Sequence, residues 1–118
     1  MTAREAVFPS GRQALYERNR YSPAIKSNGF LFVSGQVGSR EDGSPEPDLR
    51  AQVRLAFDNL NAVLAAAGCT FADVVDVTLF VVDPESNLDG YLEYPARILG
   101  GRALSYLDRD RRDVAVRI

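Results

Sequence analysis

The chain has 118 residues, 46% of them hydrophobic and 25% charged, the size and composition of one globular domain. It contains no histidine and a single cysteine, which excludes Ser-His-Asp and Cys-His catalysis, histidine-ligated metals, intrachain disulfides and thiolate zinc sites. With 14 basic residues against 16 acidic the net charge is −2, which argues against a nucleic-acid partner, and no run reaches the roughly 20 apolar residues of a membrane span.

Met1 to Phe8 lacks the apolar run of a secretory signal, so a soluble cytoplasmic protein is expected, with residues 1–118 forming a single domain. Phe8-Pro9-Ser10-Gly11 is a turn, Gln13 to Arg20 reads as a short edge strand, and Tyr21-Ser22-Pro23-Ala24 reads as extended. After the Asn28-Gly29 turn signal, Phe30 to Val37 is dense enough in apolar residues for a buried strand. It contains Ser34-Gly35-Gln36 near its end, where the missing Cβ of Gly35 lets another group approach the backbone. Gly43, Pro45 and Pro47 mark a loop.

Asp48 opens the clearest helix. Leu49, Val53, Ala56, Phe57, Leu60, Val63, Leu64 and Ala67 trace one apolar stripe, Asp48 is a suitable N-cap, and Gly68 a suitable stop. Arg50, Arg54, Asp58 and Asn61 fall opposite that stripe and are expected to face solvent. Cys69 reads as a small hydrophobe. Val74 to Val82 is β-branched and apolar, a central strand with Val75, Val77, Leu79 and Val81 on one face. A second helical segment from Asp83 towards Leu99 is weakened by Gly90 and is expected to kink or end at Pro95. Arg102 to Leu107 and Asp113 to Ile118 are the last strands.

The order β-β-α-β-α-β-β predicts an α+β fold: two layers, a mostly antiparallel sheet with two helices on one face. Strands this apolar cannot leave their second face in water, and the economical cover is another copy of the chain.

Known catalytic motifs are missing: there is no GxGxxG, Walker loop, HExxH or GxSxG. The charges at Asp73, Asp76 and 108–113 read as solvated turn charges. What remains is Tyr21, Ser34, the Gly35 backbone and an arginine near the last hairpin, a set able to hold a small carboxylate. Such a site could hydrolyse a compound that is already reactive, with only a positioned water.

Tyr21-Ser22-Pro23-Ala24-Ile25-Lys26 and Phe30-Leu31-Phe32-Val33-Ser34-Gly35-Gln36-Val37-Gly38 resemble the Rid/YjgF family of reactive intermediate deaminases. So do the helix from Gln52 to Leu60, the stretch from Ala66 to Val75 and the strand from Thr78 to Asp83. The resemblance implies a chorismate mutase-like α+β fold and a homotrimer whose sites lie at subunit interfaces. It implies hydrolysis of enamine and imine intermediates to 2-oxo acids and ammonia, with no cofactor and no metal. By resemblance, Tyr21 is the substrate-side tyrosine, Ser34 and Gly35 line the pocket, and Leu104 helps hold the water through its backbone. The family's carboxylate-binding arginine has two candidates here. Arg97 follows Pro95-Ala96 as in the family tripeptide but falls in the second helix; Arg102 opens the penultimate strand and is preferred. The acidic residue of the family's last strand is replaced by Arg117, which keeps a non-catalytic, ligand-binding member open as a second reading. A third, an endoribonuclease or translation inhibitor, is disfavoured by the acidic balance.

Overall fold

The computed structural model describes residues 3–99, 105–106 and 113–117, with residues 84–85 and the last two segments described by backbone alone. The expected α+β class holds. Strand β1 (Glu5–Val7) is followed by helix α1 (Gln13–Arg18), strands β2 (Ala24–Ser27) and β3 (Phe30–Val33), and helix α2 (Leu49–Ala66). A short 3₁₀ turn (Phe71–Asp73) leads to β4 (Thr78–Val82), helix α3 (Pro84–Ile98), β5 (Ser105–Tyr106) and β6 (Asp113–Arg117).

The strands form two antiparallel three-stranded sheets, β1-β2-β3 and β4-β6-β5. In the first, Asn28 and Gly29 both adopt positive φ, the pairing of a two-residue turn whose twist suits a hairpin, and Ser27 is set opposite Phe30. In the second, β6 inserts between its two neighbours, with Phe80 opposite Ala115 and Thr78 opposite Arg117.

Helix α2 joins the two halves of the core. Asp48 caps it, its carboxylate accepting from the Ala51 N–H at 3.0 Å. Towards its C-terminal end Val63, wholly buried, and Ala67 pack with Val7 and Ala24 of the first sheet, and Leu31, Val33 and Cys69 join them. Cys69 is thus a half-buried packing residue, as its type suggests. Earlier on α2, Val53 and Phe57 meet Leu99, with Leu79, Tyr91 and Tyr94 packed around them. Each large side chain removed from water in this way contributes about 1.5–3 kcal/mol.

Four local expectations are corrected. Residues 13–18 form a helix and not an edge strand, and this helix buries Tyr16 between the rings of Phe8 and Tyr21; the strand before it lies at Glu5–Val7. The strand after α2 begins at Thr78, so Val75 lies outside the sheet alternation and is 88% exposed, while Val74 packs inward. Helix α3 runs on to Ile98 past Pro95, although an interior proline costs about 3 kcal/mol. Pro95 is fully buried, and Ile98 and Leu99 beyond it belong to the core, so packing outweighs propensity. Finally, the strand expected to be buried over Phe30 to Val37 ends at Val33 and turns Phe30 and Phe32 outward. The charged side of α2 faces solvent as expected, with Arg50, Arg54, Asp58 and Asn61 all exposed. There Arg50 pairs with Glu93, Arg54 lies 5.5 Å from the Tyr94 ring centre, and the Tyr94 hydroxyl reaches Asp58.

Among the described residues, each sheet shows large apolar side chains on its outer face. Phe30 and Phe32 are 61% and 62% exposed, and Phe80 and Val82 are 80% and 70% exposed. Among the described residues, no helix is long and apolar enough to cross a membrane.

Candidate functional site

The site is built where α1 hands the chain to β2. Helix α1 ends in a paired hydrogen-bond closure: the Tyr21 N–H donates to the Tyr16 carbonyl at 3.2 Å, and the Arg20 N–H to the Glu17 carbonyl at 3.1 Å. That is the Schellman pattern, with Arg20 taking the left-handed conformation (φ 60°) usually given to glycine. The apolar contact that accompanies such an ending is also present. The rings of Tyr16 and Tyr21 meet edge to face, centroids 5.0 Å apart.

Tyr21 is thereby fixed beside the end of β3. The Ser34 N–H donates to the Pro23 carbonyl at 2.8 Å, and the Ser34 hydroxyl donates to the Ser22 carbonyl at 2.6 Å. The Ser34 carbonyl accepts from Gln36 Nε2 at 3.2 Å, and Gln36 Oε1 accepts from the Tyr16 hydroxyl at 3.3 Å. Tyr21, Tyr16, Gln36, Ser34 and Ser22 therefore close a ring of contacts. Tyr16 is buried within it at 4% exposure, while Tyr21 presents 46% of its surface outward and Gly35 is exposed.

The segment after Gly35 is braced on α2. Asn59 Nδ2 donates to the carbonyls of Val37 and Ser39 at 2.9 and 3.0 Å, and Gln52 Nε2 to the Glu46 carbonyl at 2.8 Å. Gly38 passes so close to α2 that a Cβ there would overlap the Gln52 carbonyl. At Gly35, by contrast, a Cβ would meet nothing within 4 Å among the described residues.

Three residues singled out in the sequence, Tyr21, Ser34 and Gly35, thus come together. Ser34 acts as a clip, since its hydroxyl is engaged by Ser22. Arg97 lies on α3, 69% exposed and 3.9 Å from Glu93, and no described contact joins it to the ring around Tyr21. Arg102 and Leu104 lie outside the described residues, and Arg117 is described only as a strand position opposite Thr78. From the sequence Tyr16 has no place in the site and Gln36 no role beyond its part in Ser34-Gly35-Gln36; the signal for Tyr16 is its place five residues before Tyr21, the spacing of a helix-ending apolar pair. Among the described residues, no three carboxylates or thiols converge as a metal site would require.

Residues 11–94 match the family model for endoribonuclease L-PSP. The chain belongs to this family, the Rid/YjgF proteins. A Rid/YjgF relative in Escherichia coli, the RutC family protein YjgH, is 66% identical over 89 residues, covering 75% of this chain and 68% of its own. The solved structure of a protein YjgH is similar at 47% identity and a TM-score of 0.76, covering 97% of this chain and 94% of that one. A more distant Escherichia coli relative, TdcF, is named a reactive intermediate deaminase. It is 30% identical over 64 residues, 53% of this chain and 50% of its own. The Rid/YjgF model covers Tyr16, Tyr21, Ser34, Gly35 and Gln36 and ends before Arg97 and Arg102.

Proposed function

We propose that this chain is the subunit of a homotrimer, one domain per subunit, that hydrolyses reactive enamine and imine intermediates to 2-oxo acids and ammonia. The substrates are of the 2-aminoacrylate and 2-iminobutanoate type, held in clefts between subunits. The observation that carries this reading is the ring of contacts around Tyr21, which leaves the Tyr21 side chain and the Gly35 backbone open on the same short segment pair. Family membership and the name of TdcF support it, and the exposed aromatic faces of the two sheets support self-association.

The chemistry asks little of the protein. An enamine tautomerises to its imine by taking a proton on its β-carbon. Protonation of the imine nitrogen then makes the C=N carbon electrophilic, and water attacks that carbon and loses a proton. The resulting carbinolamine transfers a proton to nitrogen and expels ammonia, leaving the carbonyl. No histidine is needed for an electrophile of this kind, in agreement with its absence from the chain. Arg102 would grip the substrate carboxylate with its two-pronged guanidinium, Tyr21 and the Gly35 N–H would orient it, and the Leu104 backbone would hold the water. Nothing in this scheme calls for a cofactor, a nucleic acid or a membrane, and it suits a cytoplasmic protein.

The test couples the chain to a pyridoxal-phosphate enzyme that releases 2-aminoacrylate. Faster ammonia release, lost in Arg102→Ala and kept in Arg97→Ala, is the expected result. No acceleration, or full activity in both variants, overturns it.

One observation favours a second reading, a binder without turnover: Arg117 stands where the family resemblance places an acid, and so removes a group that could orient the water. Binding of 2-oxobutanoate with no ammonia release would establish it.

A further inference from the structure

We infer that Tyr16 and Gln36 are positioning residues that aim the Gly35 N–H at the carboxylate of the ligand; this rests on the function proposed for the site. The Ser34 carbonyl and the Gly35 N–H belong to one peptide unit. No cis peptide is present among the described residues, so that unit is planar and trans, and its C=O and N–H point in opposite directions. Whatever fixes the carbonyl fixes the N–H.

Gln36 does so by donating Nε2 to the Ser34 carbonyl at 3.2 Å. A carboxamide alone is a loose clamp, because its last torsion is broad. The Tyr16 hydroxyl narrows that torsion by donating to Gln36 Oε1 at 3.3 Å. Tyr16 can serve as an anchor because it is only 4% exposed and its ring is held between Phe8, 6.4 Å away, and Tyr21, 5.0 Å away. Ser34 is also tied on its other side, through its N–H to Pro23 and its hydroxyl to Ser22.

The Gly35 N–H itself meets no acceptor among the described residues, and apart from its two chain neighbours none of them comes within 4 Å of where a Cβ would stand. A peptide with a clamped carbonyl and a free, exposed N–H beside open space is a preorganised donor. It receives an anion without first having to be ordered. The relay Tyr16–Gln36–Ser34–Gly35 thus extends the site into a buried tyrosine that never touches the ligand.

The probe is 2-oxobutanoate, the product of the proposed reaction, titrated into ¹⁵N-labelled protein. The Gly35 amide resonance is expected to shift in the wild type. Tyr16→Phe keeps both ring contacts and removes only the hydroxyl; Gln36→Met removes the clamp. Each is expected to weaken 2-oxobutanoate binding and raise KM by about fivefold, the worth of one ordinary hydrogen bond, with kcat within about twofold. In the Gln36→Met background Tyr16→Phe is expected to add nothing further, because the relay is already broken.

A silent Gly35 amide in the wild type, unchanged binding in both single variants, or fully additive losses would each overturn the relay. Because Tyr16→Phe and Gln36→Met differ in packing, a fall in stability shared with unchanged KM would likewise mark a structural role and overturn it. The two readings part cleanly. Turnover with a silent Gly35 amide removes the relay and leaves the deaminase; a responsive amide without ammonia release removes the deaminase and leaves the relay.

Discussion

Tyr21 is held to Tyr16 twice, through its backbone N–H on the Tyr16 carbonyl at 3.2 Å and through its ring against the Tyr16 ring at 5.0 Å. The position of the exposed tyrosine in the candidate site is therefore set by the ending of a six-residue helix, and the ending has an unusual residue at its crux. Arg20 occupies the left-handed conformation that closes the helix.

An L-residue other than glycine pays roughly 1–2 kcal/mol to sit in that conformation. Arg20→Gly relieves the clash but adds backbone freedom to the unfolded chain, so a net gain of about 0.5–1 kcal/mol is expected. The urea midpoint should rise with its slope unchanged. A lower midpoint would show that the Arg20 side chain makes a contribution the helix ending does not account for.

Gly35 and Gly38 lie three positions apart in one loop and make opposite predictions. At Gly38 an added methyl would overlap the Gln52 carbonyl, and backbone cannot step aside as a side chain can. Gly38→Ala should cost about 1–3 kcal/mol of stability and loosen the segment that Asn59 braces. At Gly35 the methyl meets nothing within 4 Å among the described residues. Gly35→Ala should leave the melting temperature unchanged or slightly raised. It should still lower turnover at least tenfold, because the methyl fills the space a ligand needs to reach the N–H. Equal losses of stability in the two variants would contradict this.

Which parts could be read in the sequence follows from the range of the forces involved. Helix α2 was plain, because its apolar stripe repeats over eighteen residues and Asp48 caps it. Helix α1 was hidden: six residues give too little period to register, and its ending uses Arg20 where a glycine would have announced it. Continuation of α3 past Pro95 was hidden because burial of Pro95, Ile98 and Leu99 is tertiary, and only packing reveals it. In the site, Tyr21, Ser34 and Gly35 could be named from local sequence and from resemblance. The link from Tyr16 to Gln36 joins residues twenty positions apart by one side-chain hydrogen bond, which no local pattern encodes.

The loop before α2 offers a prediction in pH. The exposed Asp42 carboxyl is held below its ordinary pKa, first by the Ser44 hydroxyl donating to it at 2.6 Å, then by the Ser44 N–H at 2.9 Å, with Arg40 adding a smaller attraction. A carboxyl lowered by folding stabilises the folded loop above its unfolded pKa, and that contribution fades as pH falls through the folded value. Carboxyl NMR titration should place Asp42 below an unstructured aspartate, and Ser44→Ala should move it upward. An Asp42 that titrates identically with and without the Ser44 hydroxyl would show that this turn does not hold it in solution.

The exposed aromatics give the test of assembly. Phe80 stands outward on β4, 80% exposed, opposite Ala115 of β6, so within one chain it contributes almost nothing to stability. If a second copy covers it, each ring of about 150–250 Å² brings several kcal/mol to association. Phe80→Ser should therefore leave the unfolding of isolated subunits unchanged while shifting sedimentation from trimer to monomer at micromolar concentration. Activity should fall in step with dissociation and return as concentration rises, since a cleft shared between copies exists only in the assembly. Wild-type protein that sediments as a monomer while fully active would end the shared-cleft reading, and a trimer indifferent to Phe80→Ser would move the interface away from this face.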